Sequence, residues 1–406
     1  MLTLRVMFTL RVMLTLRDML PLRHMFTLRA MAVRATVLFC AALVSSSLVS
    51  KVLAQDLEPV GPMPYDIPGN WIEPFAGPGY SWGGNSGIHV ESQDRIIVLQ
   101  RGETELPDPV PPEYTNFPGS MGWNVIQGRG RTWQNVMYVT NSKGEVLEVW
   151  DHWDYLFAGT DGPGPHRLRV SPYDPERRIW VVDETNHVIY VFSRDGQELL
   201  MTLGEKGVSG DNETHFGLPQ DVAFLPDGKV LVADGLQNTR VVILSPEGEY
   251  LSEFGSEGSE PGQFASVHGI AMGPDHDVYV VDRNNMNVQV FRQTNRGSDD
   301  PYPDYELKMR VTGPNFPLDI IVSDEYFWVT DIRPPKILQF DLQGNHVYTW
   351  LLPTEGPTAW LEMHSFSVDT DGNVYGTDNQ YARPQKLVPS ADADPRHLIQ
   401  RQYVPR

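Results

Sequence analysis

The chain has 406 residues, 41% hydrophobic and 21% charged, with 35 glycines and 33 prolines, a composition that suits a large, turn-rich globular core. Its formal net charge is −20, and the residues after position 54 carry 25 basic against 51 acidic groups, or −26. Such a surface repels nucleic acid and anionic membranes, which excludes DNA or RNA as the expected partner.

Residues 1–30 repeat a near-hexamer: MLTLRV, MFTLRV, MLTLRD, MLPLRH, MFTLRA. No folded domain repeats so tightly with an arginine in every unit, so the true start is expected at Met31. From Met31 the pattern is that of an export signal. Arg34 supplies the positive charge, residues 35–49 the apolar run, and Val52-Leu53-Ala54 a small-x-small cleavage site before Gln55. That run is too short for a membrane span of about 20 residues. Residues 1–54 are therefore expected to be removed, and the product to be periplasmic or secreted. The single cysteine, Cys40, falls in this leader, which leaves neither a disulfide nor a thiol nucleophile in the expected product.

Residues 55–80, rich in Pro and Gly, read as an extended arm or a ring closure. Over residues 81–395 one phrase then recurs: apolar strand, tight turn, β-branched strand, Asp, polar turn, another strand. The first copy is GIHVESQDRIIVLQRGE (87–103), with outer strands VMYVTNS and EVLEVW after an insertion. An aromatic segment, EVWDHWDYLFAG (148–159), follows. It reads as a lid, as an exposed binding patch, or as aromatics packed beneath the segment itself. The second copy spans 166–204 and contains the long turn SPYDPERR. After an exposed Asn212-Glu213-Thr214 sequon comes the clearest copy, PQDVAFLPDGKVLVADGLQNTRVVILSPEGEYLSEFG (219–255). VHGIAMGPDHDVYVVDRNNMNVQVF (267–291), PLDIIVSDEYFWVTDIRPPKILQFD (317–341) and HSFSVDTDGNVYGTDNQYARPQKLV (364–388) complete the set, and 396–406 form a tail.

The Asp that closes the second strand recurs at 183, 234, 282, 331 and 378, at intervals of 51, 48, 49 and 47. Four short strands fit that period, so six units predict an all-β, six-bladed β-propeller. A closed ring covers sheet edges that a linear array would expose.

Aligning the units on that Asp brings out three histidines. His268 and His364 each lie 14 residues before it, and His166 lies 17 before, the excess absorbed by SPYDPERR. The slot opens the innermost strand, which lines the channel, and it is histidine in every second blade. Gln220, Pro317 or Leu318, and Gly87 or a neighbour fill the other three. Three imidazoles 120° apart suit Zn²⁺ with a position open to water or substrate. Against this stands the ordinary reading of unrelated channel residues bonded to water. Arg283 follows the fourth unit's Asp282, and Arg101 takes the matching place in the first, where a guanidinium holds a carboxylate or an oxyanion. No Walker loop, G-x-S-x-G elbow, cysteine cluster or H-E-x-x-H is present.

The repeats resemble NHL repeats. The placed motifs PHRL (His166), SVHGIA (His268), EMHSF (His364), LQRGE (Arg101) and VVDRNN (Arg283) resemble those of the peptidyl-α-hydroxyglycine α-amidating lyases. That resemblance implies a six-bladed propeller with zinc on the three histidines and catalytic arginines at 101 and 283. It also implies a peptide or other small substrate, cleaved at an N–Cα bond to a peptide amide and glyoxylate. Two departures stand out. Leu236 occupies the place of the family's catalytic tyrosine and can neither give nor take a proton. Ser365 replaces the acid that helps hold a calcium ion, leaving mainly backbone carbonyls near Ile88 and Leu168. Glu362 or Met363 takes the substrate-lining place, and Tyr381 or Glu362 offers an alternative base. Lyase-like chemistry, another zinc-dependent hydrolase or lactonase, and a non-enzymatic propeller binding protein or glycan are the readings left open.

Overall fold

The aspartate that ends each second strand shows why the repeat recurs. Asp234 Oδ1 accepts the Gly217 N–H at 2.7 Å, Asp282 Oδ1 those of Ala265 and Ser266 at 3.0 Å, and Asp378 Oδ2 that of Leu361 at 2.8 Å. In each case the donor sits in the loop that enters the innermost strand. The carboxylate thus ties that loop to its blade and satisfies backbone groups that would otherwise be buried without partners. Gln100 takes this place in the first unit, its amide donating to Asn135 O at 2.7 Å.

The computed structural model describes residues 51–53, 57, 60–69, 71–72, 75–109, 130–159, 162–297 and 302–405. The hexamer repeat, Met31 and the leader up to residue 50 lie outside the described residues. Among those described, six sheets follow one another along the chain, each of four antiparallel strands, two of them with a fifth strand added in parallel at the outer edge. Their innermost strands are Asn85–Ser92, Pro165–Val170, Pro219–Phe224, Val267–Met272, Pro317–Val322 and Ser365–Val368. Each innermost strand touches the next, and Ser365–Val368 returns to Asn85–Ser92, so the ring closes. The fold is a β-propeller. Strands such as Ile179–Asp183 and Val230–Asp234 are buried along their whole length, because both faces of a blade pack on neighbours. That is why they read as continuous β-branched runs without alternation.

The N-terminal arm runs along the rims of the last blades. Lys51–Leu53, placed in the leader by sequence, pairs in parallel with Met309–Val311. Val60–Gly61 pairs in parallel with Thr349 and Trp350. Tyr65–Asp66 then pairs antiparallel with Pro389 and Val388, supplying the fourth strand of blade six. Tyr65 packs on Trp350 and its hydroxyl accepts the Ile399 N–H at 2.7 Å, so strand and tail hold each other.

The aromatic segment between blades one and two is packed. A short 3₁₀ helix, Asp151–Leu156, is held by Asp154, whose carboxylate accepts the N–H groups of Asn135 and Val136. Trp150 and Phe157 are buried, and Trp153 lies 5.3 Å from Phe192. Tyr155 alone of these four aromatics faces solvent.

Candidate metal centre

A bulge aims each channel side chain. Pro165 pairs with Asp183 and Arg167 with Val182, so His166 is the extra residue; Val267 and Gly269 flank His268 in the same way. Such an insertion turns its side chain out of the pleat. His364 stands one residue before Ser365–Val368, its N–H bonded to Thr377 O at 2.8 Å. The equivalent bulges of blades one, three and five hold Ser86, Gln220, and Leu318 with Asp319. The slot in blade one is therefore Ser86, one residue before Gly87.

The three histidines meet. Their nearest ring nitrogens all lie within 4.8 Å of one another, and each residue is at most 3% exposed. Nδ1 of His166 is 2.7 Å from Gln220 O, that of His268 is 2.7 Å from Leu318 O, and that of His364 is 2.8 Å from Ser86 O. A carbonyl oxygen only accepts, so each Nδ1 carries the proton and each Nε2 a free lone pair. The acceptors are the slot residues of the intervening blades. Burial first, then neighbouring histidines and the guanidiniums of Arg167, Arg101 and Arg283, hold all three imidazoles well below the usual histidine range. They are neutral near pH 7, as metal ligands must be. His268 Nε2 is buried without a hydrogen-bond partner, a loss of about 1–3 kcal/mol unless something else occupies the lone pair. Three neutral, carbonyl-oriented imidazoles fit a divalent first-row metal ion.

Charged groups gather beside the histidines. Arg101 is buried, with Nε donating to Pro165 O at 3.3 Å and Nη2 to Glu184 at 3.1 Å. The other oxygen of Glu184 accepts from the Gln220 amide at 2.7 Å. Sequence reasoning gave Glu184 and Gln220 no role, although Glu184 sits in the same post-Asp slot as Arg101 and Arg283. Arg283 lies over the Phe316 ring at 5.0 Å, and its Nε is buried without a hydrogen-bond partner. Glu362 is buried with one carboxylate oxygen unpartnered. Burial and the neighbouring Asp378 push its carboxyl up to about 8, against the pull of Arg101 and Arg283.

The remaining sequence candidates fall elsewhere. Met363 is turned into the apolar core, where Gly376 leaves room for its side chain. Tyr381 stands in the turn after Asp378, its N–H on that carboxylate and its ring 5.8 Å from Arg383. Leu236 is half-buried in the turn after Asp234. Gly235 before it lies so close to Val267 O that no side chain fits.

Next to the histidines the channel is filled by charged side chains. Arg167 is fully buried, with Nη1 on His364 O at 2.7 Å and guanidinium nitrogens 3.4 Å from Asp319 and 3.6 Å from Asp221. Arg169 binds the same two carboxylates at 2.6 and 2.8 Å. Ile88 and Leu168 are buried in adjoining strands of this region. Each carboxylate there is already shared by two guanidiniums, so these residues do not fit calcium, which favours free carboxylate oxygen.

An NHL repeat family model matches residues 264–291, the stretch that carries His268 and Arg283. A peptidylglycine alpha-amidating monooxygenase of Rattus norvegicus is 36% identical over 218 residues, 51% of this chain and 20% of that protein. A peptidyl-alpha-hydroxyglycine alpha-amidating lyase 2 of Drosophila melanogaster is 24% identical over 214 residues, 52% of this chain and 48% of its own length. The chain resembles the α-amidating lyases. It spans less than half the length of either relative. Among solved structures, a putative gluconolactonase is 13% identical with a TM-score of 0.49, covering 76% of this chain and 89% of that one. A likeness so distant carries no functional argument.

Proposed function

We propose that the chain is a zinc-dependent lyase that cleaves the N–Cα bond of a carboxylate-bearing carbinolamide, of the kind found at a peptidyl-α-hydroxyglycine terminus. The supporting observation is the convergence of His166, His268 and His364, each with Nδ1 committed to a carbonyl and Nε2 left for a metal ion. Zinc is preferred on ligand type, and when bound it supplies Lewis acidity that lowers the pKa of a substrate hydroxyl.

The protein's own groups account for the rest. Arg283, with an unpartnered Nε, is available to hold the substrate carboxylate, and Arg101 is fixed in place by Glu184. Glu362 lies among these guanidiniums with a free oxygen, and burial pushes its carboxyl up to about 8, so that its ionised form is a strong general base. It takes the hydroxyl proton as the carbon–oxygen bond becomes a carbonyl. The carbon–nitrogen bond breaks, and Glu362 returns the proton to the departing amide nitrogen. The products are glyoxylate and a peptide amide, and the protein ends unchanged.

Leu236 favours a second reading. Without a phenol at that position, the same metal site and arginines suit a hydrolase that opens an ester or lactone. The deciding experiment measures metal content and glyoxylate release on one preparation, wild type beside His268→Ala. About one zinc per chain with glyoxylate formed from an α-hydroxyglycine peptide supports the lyase. Zinc without glyoxylate, but with turnover of a lactone, moves the assignment to the hydrolase. Absence of zinc after reconstitution overturns both.

A further inference from the structure

We propose that the opposite mouth of the channel is a second binding site, one that takes a small carboxylate with a short apolar body. A cavity of about 200 Å³ lies there, walled by the C-terminal ends of all six innermost strands and crossed by residues 401–404 of the tail. The buried Arg167–Asp221–Asp319–Arg169 cluster separates it from the histidines.

Its charge is the reverse of the molecule's. Arg169, Arg177 and Arg401 line the cavity, and His89 among them has a buried Nε2 with no hydrogen-bond partner. The acids nearby are outnumbered. Asp221 and Asp319 are bound by Arg167 and Arg169, and Glu91 is shared by Arg95, Arg177 and Arg194 at 3.1, 3.6 and 2.9 Å. Arg401 has no ion pair among the described residues and stands exposed at the rim. In a chain that carries −26 after residue 54, a pocket with surplus guanidinium focuses an attractive field on anions. Much of the remaining wall is apolar, Phe224, Met272, Ile320 and Phe366 among it, which selects a carboxylate with an apolar body over a fully hydrated phosphate.

The tail is fastened so that Arg401 stays at the opening. Gln402 Oε1 accepts the Val322 N–H at 3.1 Å, its amide donates to Met272 O at 2.6 Å, and Tyr403 N–H donates to Val322 O at 2.6 Å. These bonds strap the tail to blades four and five.

Titration calorimetry of the full chain at low salt, with butyrate, inorganic phosphate and butylammonium as probes, tests the assignment. In a His268→Ala, Arg283→Ala background, where the histidine end no longer offers its carboxylate site, saturable one-site binding of butyrate is expected, and adding Arg401→Ala should weaken it at least about tenfold. Butylammonium should not bind. Arg401 is exposed, so its removal leaves the fold intact and the comparison valid. No saturable butyrate binding, binding unchanged in Arg401→Ala, or phosphate binding as tight as butyrate would each overturn the proposal. Loss of zinc or of lyase activity bears only on the histidine end.

Discussion

The carbonyl oxygen of Leu318 lies 2.7 Å from Nδ1 of His268, so a backbone atom of blade five decides the tautomer of a side chain in blade four. The same relation joins Gln220 to His166 and Ser86 to His364. Because the acceptor is main chain, the Leu318 side chain is free of the metal question. Leu318→Ala should keep about one metal ion per chain while losing about 2–4 kcal/mol of stability from its buried side chain. His268→Ala should do the reverse to metal content. Elemental analysis beside urea unfolding separates the two, and metal loss in Leu318→Ala would count against backbone orientation.

Arg283 offers the sharpest split between stability and activity. With Nε unpartnered and no ion pair among the described residues, Arg283→Ala should change unfolding free energy by no more than about 1 kcal/mol. Loss of a charged hydrogen bond to the substrate carboxylate should lower kcat/KM by about 10- to 150-fold. Steady-state kinetics on an α-hydroxyglycine peptide give the readout, and full activity would remove Arg283 from the site.

Arg167 should behave in the opposite manner. Its guanidinium is fully buried against Asp221, Asp319 and His364 O. Arg167→Met leaves two buried carboxylates on Arg169 alone, and a cost of about 3–5 kcal/mol is expected in denaturant unfolding.

Burial pushes the Asp183 and Asp378 carboxyls up to about 6. A carboxyl raised in the folded state contributes stability that is full below its unfolded value near 3.8 and is lost as pH rises through 6. For Asp378 the shift is about two pKa units, or about 3 kcal/mol. Asp378→Asn should therefore flatten the dependence of unfolding free energy on pH between about 4 and 6, even though it forfeits backbone acceptors. An unchanged slope in urea melts would show that Asp378 titrates normally.

The sequence alone carried the blade period, because the blades repeat one local solution: short β-branched strands, a tight turn and, in blades three to six, an Asp that reaches back to the loop before it. It also carried the alternation of His166, His268 and His364, since the same place before that Asp, once the longer SPYDPERR turn is allowed for, means equal radius in a ring. What the tertiary structure decided are relations between blades, which share no spacing in sequence. Ser86 rather than Gly87 fills the blade-one slot because a bulge shifts the register by one residue. Glu184 joins Arg101 to Gln220 across three blades, and Met363 turns inward beside Gly376 while its neighbour Glu362 faces the arginines. The arm's Tyr65–Asp66 completes blade six, and residues 401–404 cross the far mouth. Each depends on which side chain a closed ring brings opposite another, and only closing the ring supplies that information.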